Sequence, residues 1–148
     1  MIRGVGHVVL KVRDLDRSAT FYREVLGLRE VTRDEADHMV FFTAEGTGSH
    51  HDLAIVEVGR DAPGADPAAV GLAHVAFKVG DRLDDLRAMR ARLLRHGVAI
   101  GGMTDHLVSQ SLYFEDPDGN TLECFVDADP AIWRADPASV ATVRPLTL

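Results

Sequence analysis

Two histidines sit at equivalent places in two copies of one pattern. Gly4-Val5-Gly6-His7-Val8-Val9-Leu10-Lys11-Val12 returns as Gly71-Leu72-Ala73-His74-Val75-Ala76-Phe77-Lys78-Val79, the second histidine 67 positions after the first. Each copy places a glycine three residues before its histidine and ends on Lys-Val. A lone strand histidine is more often a hydrogen-bonded structural residue than a ligand. Two at matched points of a repeat are expected to converge on one object, and a metal is the object two imidazoles hold best. A third donor is needed from another strand. Glu123 meets that need, because it stands between Leu122 and Cys124 in an apolar run where an unpaired carboxylate is costly to bury. Two neutral imidazoles and one carboxylate form the facial set that suits non-haem Fe(II) and leaves neighbouring positions open.

The elements that must position these donors also come in two sets. Residues 4–12 read as a buried strand. Asp14-Leu15-Asp16 caps a helix over about 16–27, with Gly27 as its stop. Residues 28–33 and 38–44 read as strands joined by the acidic turn Asp34-Glu35-Ala36-Asp37, and 51–58 as a strictly alternating strand. After a Gly-, Pro- and Asp-rich linker at 59–70, containing Pro63 and Pro67, the order repeats. It runs as a strand at 74–79, an amphipathic helix at 82–96, strands at 98–103 and 109–114, the turn Asp116-Pro117-Asp118-Gly119-Asn120, and a strand at 121–126. The expected class is α+β, with two βαβββ modules at 1–60 and 69–129 in a single domain. A C-terminal tail at 130–148 is expected to wrap the surface with Trp133 as its anchor.

Bulk properties exclude several function classes. A formal net charge of −7 over 148 residues argues against nucleic acid, whose phosphates require a basic excess. The single Cys124 cannot form an internal disulfide, no run approaches 18 apolar residues, and the N-terminal residues carry no secretory pattern. These observations predict a cytoplasmic protein without a membrane partner.

From His7 through Asp116-Pro117-Asp118-Gly119-Asn120 to Glu123, the chain resembles the vicinal oxygen chelate superfamily of glyoxalase I, extradiol dioxygenases and bleomycin- or fosfomycin-resistance proteins. The resemblance implies paired βαβββ modules curling into an open barrel, with metal ligands at His7, His74 and Glu123. Ser49-His50-His51-Asp52-Leu53-Ala54-Ile55 is similar to the type I extradiol strand that sets a histidine beside the metal, matching His51. Ser111-Leu112-Tyr113-Phe114-Glu115-Asp116-Pro117 is similar to the segment with a substrate-side tyrosine, matching Tyr113. Asp105-His106 falls where those relatives carry a second pocket histidine. His38 and His96 lie outside the pattern and read as surface residues.

Glyoxalase-like members need a fourth ligand on the last strand of the first module. Leu53 and Ala54 stand there, and Glu57 lies too far along unless the register shifts. The resemblance therefore implies an Fe(II)-dependent extradiol dioxygenase, with Mn(II) as the alternative metal. Its partners would be an aromatic diol and O2, with ring opening to a semialdehyde. His51 would act as the proton relay, His106 as a donor to the substrate oxygen and Tyr113 as a hydrogen-bonding partner. The rival readings are a glyoxalase-like isomerase or epimerase and a non-catalytic binding or resistance protein. A homodimer is compatible with the resemblance.

Overall fold

The computed structural model describes residues 1–148 except Ala65 and Pro67, so the expectation at Pro67 lies outside the described residues. It divides into two compact units, one of residues 1–69 with 116–120 and the other of 70–115 with 121–148. Each is α+β with one open mixed sheet, and neither sheet closes into a barrel. No helix among the described residues is long and apolar enough to cross a membrane.

The first unit runs β1 (Val8–Val12), α1 (Leu15–Thr20), a π-helical turn (Phe21–Val25), β2 (Arg29–Asp34), β3 (Met39–Thr43) and β4 (Leu53–Glu57). Its sheet order is β1-β4-β3-β2, with β1 parallel to β4 and the other pairs antiparallel. Asp14 caps α1 by accepting from Arg17 N–H at 3.0 Å, as the sequence predicts. The helix does not stay α to Gly27. It widens after Thr20, where Leu26 N–H donates to Phe21 O five residues back. Gly27 follows at φ +80, a conformation that favours glycine.

The strict alternation expected for 51–58 is absent. The strand is Leu53–Glu57, and Leu53, Ala54 and Ile55 are all buried because β4 lies in the middle of its sheet. Similarly, β1 starts at Val8 rather than residue 4, so His7 stands just before the strand.

The turn Asp116–Asn120 groups with this unit and is held by carboxylates. Asp116 Oδ1 accepts from the N–H groups of Asp118 and Asn120, both at 2.9 Å, while Oδ2 accepts from the buried Tyr22 hydroxyl at 2.8 Å. Asp118 accepts from Arg13 N–H at 3.1 Å and Ser18 Oγ at 3.2 Å, and also pairs with Arg17.

The second unit runs β5 (Val75–Gly80), α2 (Leu83–Arg95), β6 (Gly102–Asp105), β7 (Ser109–Glu115), β8 (Thr121–Asp127), α3 (Ala131–Ala135), a 3-10 turn (Pro137–Ala141) and β9 (Arg144–Pro145). The sheet order is β5-β8-β7-β6-β9. Helix α2 buries Leu86, Met89 and Leu93, and it packs against β5, β7 and β8. Leu94, on the same helix, is exposed. Leu112, Phe114, Leu122, Cys124 and Val126 are the buried apolar residues of β7 and β8.

Two expectations fail here. The strand predicted at 98–103 begins only at Gly102. Trp133 does not anchor the tail: it is 44% exposed with the Arg134 guanidinium over its ring. The tail is held instead by the buried Ser139, whose hydroxyl donates to Asp136 O at 2.6 Å, and by pairing of β9 with β6.

Candidate active site

In the first unit, parallel pairing of β1 with β4 sets Val8 opposite Leu53, and Val8 N–H donates to Asp52 O at 3.1 Å. That register brings His7 and His51 together, with ring centroids 4.3 Å apart. His50 Nδ1 meets His51 Nδ1 at 2.6 Å, and Phe41 packs edge-on to His51 at 5.3 Å.

The loop that presents these histidines is tied down at Asp52. Its carboxylate accepts from Ala44 N–H at 2.8 Å, Thr47 Oγ1 at 2.9 Å and Thr43 Oγ1 at 3.0 Å. Burial works against the charge, yet the hydrogen bonds from Ala44, Thr47 and Thr43 prevail and hold the carboxyl below its ordinary pKa. His51 is held below the ordinary imidazole value, first by desolvation and then by repulsion from His7 and His50, with Asp52 opposing. A ring so placed stays neutral and able to accept a proton.

Glu57 Oε2 accepts the Leu15 N–H at 2.7 Å, which ties this carboxylate to the first turn of α1. Leu53 and Ala54 are fully buried in the sheet.

In the second unit, Ala76 pairs with Glu123 and Glu123 with Tyr113, so one face of the sheet carries His74, Glu123 and Tyr113. His74 Nε2 lies 3.0 Å from Glu123 Oε2. Adjacent ligands about 2.1 Å from a metal and at right angles to each other stand about 3.0 Å apart, so this contact has the spacing of two neighbouring ligands. Glu123 is buried, and its Oε1 accepts from Ser111 Oγ at 2.5 Å.

The His74 and Tyr113 rings are 5.8 Å apart, edge to face. Tyr113 Oη meets His106 Nε2 at 3.0 Å, and His106 Nδ1 meets Thr142 O at 2.7 Å. Burial, then the Glu123 carboxylate, raise the Tyr113 phenol above its ordinary value, so it keeps its proton. Within each unit, no three His, Cys, Asp or Glu side chains among the described residues are grouped to hold a metal ion. The expected donor set takes His7 from the first unit and His74 with Glu123 from the second. The donor chemistry of each part, neutral imidazole beside a buried carboxylate or a second imidazole, fits a divalent transition metal.

The structure thus brings together His7 with His51 in one unit, and His74, Glu123, Tyr113 and His106 in the other. His38 and His96 are exposed, as expected. Two residues escaped the sequence reading. Ser111 was legible in principle, since it shares strand parity with Tyr113. Thr142 was not, since only the folded tail brings its carbonyl to His106.

A model of the Glyoxalase/Bleomycin resistance protein/Dioxygenase superfamily matches residues 4–124. The chain belongs to this superfamily. It is 37% identical over 133 residues to a catechol-2,3-dioxygenase of Bacillus subtilis strain 168, a match covering 89% of this chain and 44% of that relative. It is 35% identical over 127 residues to a biphenyl-2,3-diol 1,2-dioxygenase of Rhodococcus globerulus, covering 83% of this chain and 63% of that relative. The chain therefore spans between two fifths and two thirds of these two relatives. Among solved structures, a glyoxylase/bleomycin resistance protein/dioxygenase domain from Frankia sp. EAN1pec superposes with a TM-score of 0.72 at 29% identity, covering 86% of this chain and all of that one.

Proposed function

We propose that this superfamily member is an extradiol ring-cleaving dioxygenase, which takes a catechol-like aromatic and O2 and gives a ring-opened semialdehyde. His7, His74 and Glu123 would hold the metal, Fe(II) or alternatively Mn(II). A metal bound there supplies Lewis acidity that lowers the pKa of a substrate hydroxyl, together with open positions for diol and dioxygen.

The chain's own side chains do the rest. His51, kept neutral by desolvation and by its histidine neighbours, takes a proton from the substrate at a ring nitrogen. Phe41, edge-on to His51, limits where that ring can turn. Tyr113 Oη shares a hydrogen bond with the substrate hydroxyl. His106, 3.0 Å behind Tyr113 Oη, holds or returns a proton through it. Ser111 keeps the Glu123 carboxylate in place.

The single observation that supports this reading most is the alignment of His74, Glu123, Tyr113 and His106 in one unit. A pure binding protein has no need of a phenol–imidazole pair beside a buried carboxylate. Family membership alone does not select the reaction, since the family's own name spans glyoxalases, resistance proteins and dioxygenases. The place of a fourth ligand on β4 is held by Leu53 and Ala54, which carry no donor, and this argues against a four-ligand isomerase. The two diol-cleaving relatives point the same way.

The test is anaerobic reconstitution with Fe(II), followed by monocyclic and bicyclic catechols with oxygen. Oxygen uptake and a yellow ring-opened product are expected. If neither occurs with any catechol while iron remains bound, the reading is wrong.

A further inference from the structure

The C-terminal tail ends in contact with the site. The 3-10 turn is closed by Ser139 N–H to Asp136 O and Thr142 N–H to Ser139 O, both at 3.1 Å. Beyond it, β9 pairs with β6, and Leu146 N–H donates to Met103 O at 3.3 Å. The Thr142 carbonyl is therefore fixed from both sides. His106 is fixed as well, since its N–H donates to Ser109 O at 2.9 Å, and the next residue, Leu107, donates to Asp105 Oδ1 at 2.8 Å.

A carbonyl oxygen can only accept, so the 2.7 Å contact between His106 Nδ1 and Thr142 O needs a proton on Nδ1. A neutral imidazole then has a bare Nε2, which can only accept. The 3.0 Å contact from Nε2 to Tyr113 Oη requires in turn that Tyr113 donates. The Glu123 carboxylate is the rival acceptor for that proton, and the 3.0 Å contact between Oη and Nε2 is what assigns it to His106.

We propose that the tail is a working part of the site: the Thr142 carbonyl locks His106 as its Nδ1–H tautomer, which draws the Tyr113 proton to His106 and leaves the Tyr113 oxygen facing the ligand as an acceptor. His106 is then a positioning residue that acts through Tyr113. The ligand that suits the site carries a hydroxyl able to donate to Tyr113 Oη, and an ether at that place meets two lone pairs. The consequence for the ligand rests on the diol reading above; the tautomer does not.

The test uses the full chain without metal, with 15N-labelled histidine, at a pH where imidazole is neutral. Long-range proton–nitrogen correlation identifies the tautomer, and the His106 signal is assigned by its disappearance in His106→Asn. The expected result is an Nδ1–H tautomer for His106, the reverse of the form that dominates for free histidine. It should persist in Tyr113→Phe, where the contact with Thr142 O remains. An Nε2–H tautomer, a doubly protonated ring, or reversion to Nε2–H in Tyr113→Phe would each overturn the proposal. None of these results depends on turnover, so failure in the catechol assay and failure here are separate.

Discussion

The Tyr22 hydroxyl donates to Asp116 Oδ2 at 2.8 Å, and both groups are buried. Burial, and then the negative Asp116, push the phenol well above its ordinary pKa, so it keeps its proton and donates. Removing the hydroxyl in Tyr22→Phe leaves one oxygen of a buried carboxylate with only Asn120 Nδ2, at 2.9 Å. The expected cost is about 1–3 kcal/mol, the range for leaving a buried polar group short of a partner. Asp116→Ala should cost more, because Asp118 N–H, Asn120 N–H and Tyr22 lose their acceptor together. Urea unfolding of the two variants checks the order, and equal stabilities would contradict it.

Ser111 holds the expected metal donor Glu123 through a 2.5 Å hydrogen bond. Ser111→Ala should leave the fold intact and weaken Fe(II) or Mn(II) binding by about 10- to 100-fold, the usual scale for losing a partner that orients a ligand. Equilibrium metal titration reads this directly. An unchanged dissociation constant would show that Glu123 needs no such support, or does not bind metal.

His7→Ala, His74→Ala and Glu123→Ala should each give protein that folds but does not retain iron through desalting. His51→Gln should differ from all three. It is expected to keep its iron and to lose turnover by about 10²- to 10⁴-fold, the scale of general acid–base catalysis. Metal analysis beside oxygen-uptake rates separates the two classes. Iron loss in His51→Gln would reassign that residue from proton transfer to ligation.

Cys124 is 1% exposed between Glu123 and Phe125 on β8. Burial, then the neighbouring Glu123, push its thiol up to about 12. A thiol-specific disulfide reagent should therefore label nothing in the native protein and one group per chain after unfolding. Rapid native labelling would place Cys124 at the surface and contradict the assigned strand face.

Residue pattern alone carried a good deal of this protein. The repeat around His7 and His74 and the elements between them are short-range information, written in apolar periodicity, capping aspartates and Gly–Pro turns. Glu123 could be singled out because a carboxylate in an apolar strand is anomalous wherever the strand packs. Strand parity likewise places Tyr113 on the same face as Ser111, and pairing then sets both beside the face of Glu123.

Other features depended on the tertiary arrangement. The burial of Leu53, Ala54 and Ile55 on both faces follows from β4 being a central strand, which alternation along one segment cannot report. Folding also brings Leu15 N–H to Glu57 Oε2, a contact that the residue pattern does not mark. Trp133 reads as an anchor by its size, yet the tail is held by Ser139 and by two residues of edge pairing. The hydrogen-bond direction at His106 is the clearest case. It depends on a backbone carbonyl 36 residues further along the chain, and every residue has such a group, so no side-chain pattern marks Thr142. Sequence supplied the histidines and the carboxylate as chemical types. Long-range contact decided which of them are free to act and which way their protons point.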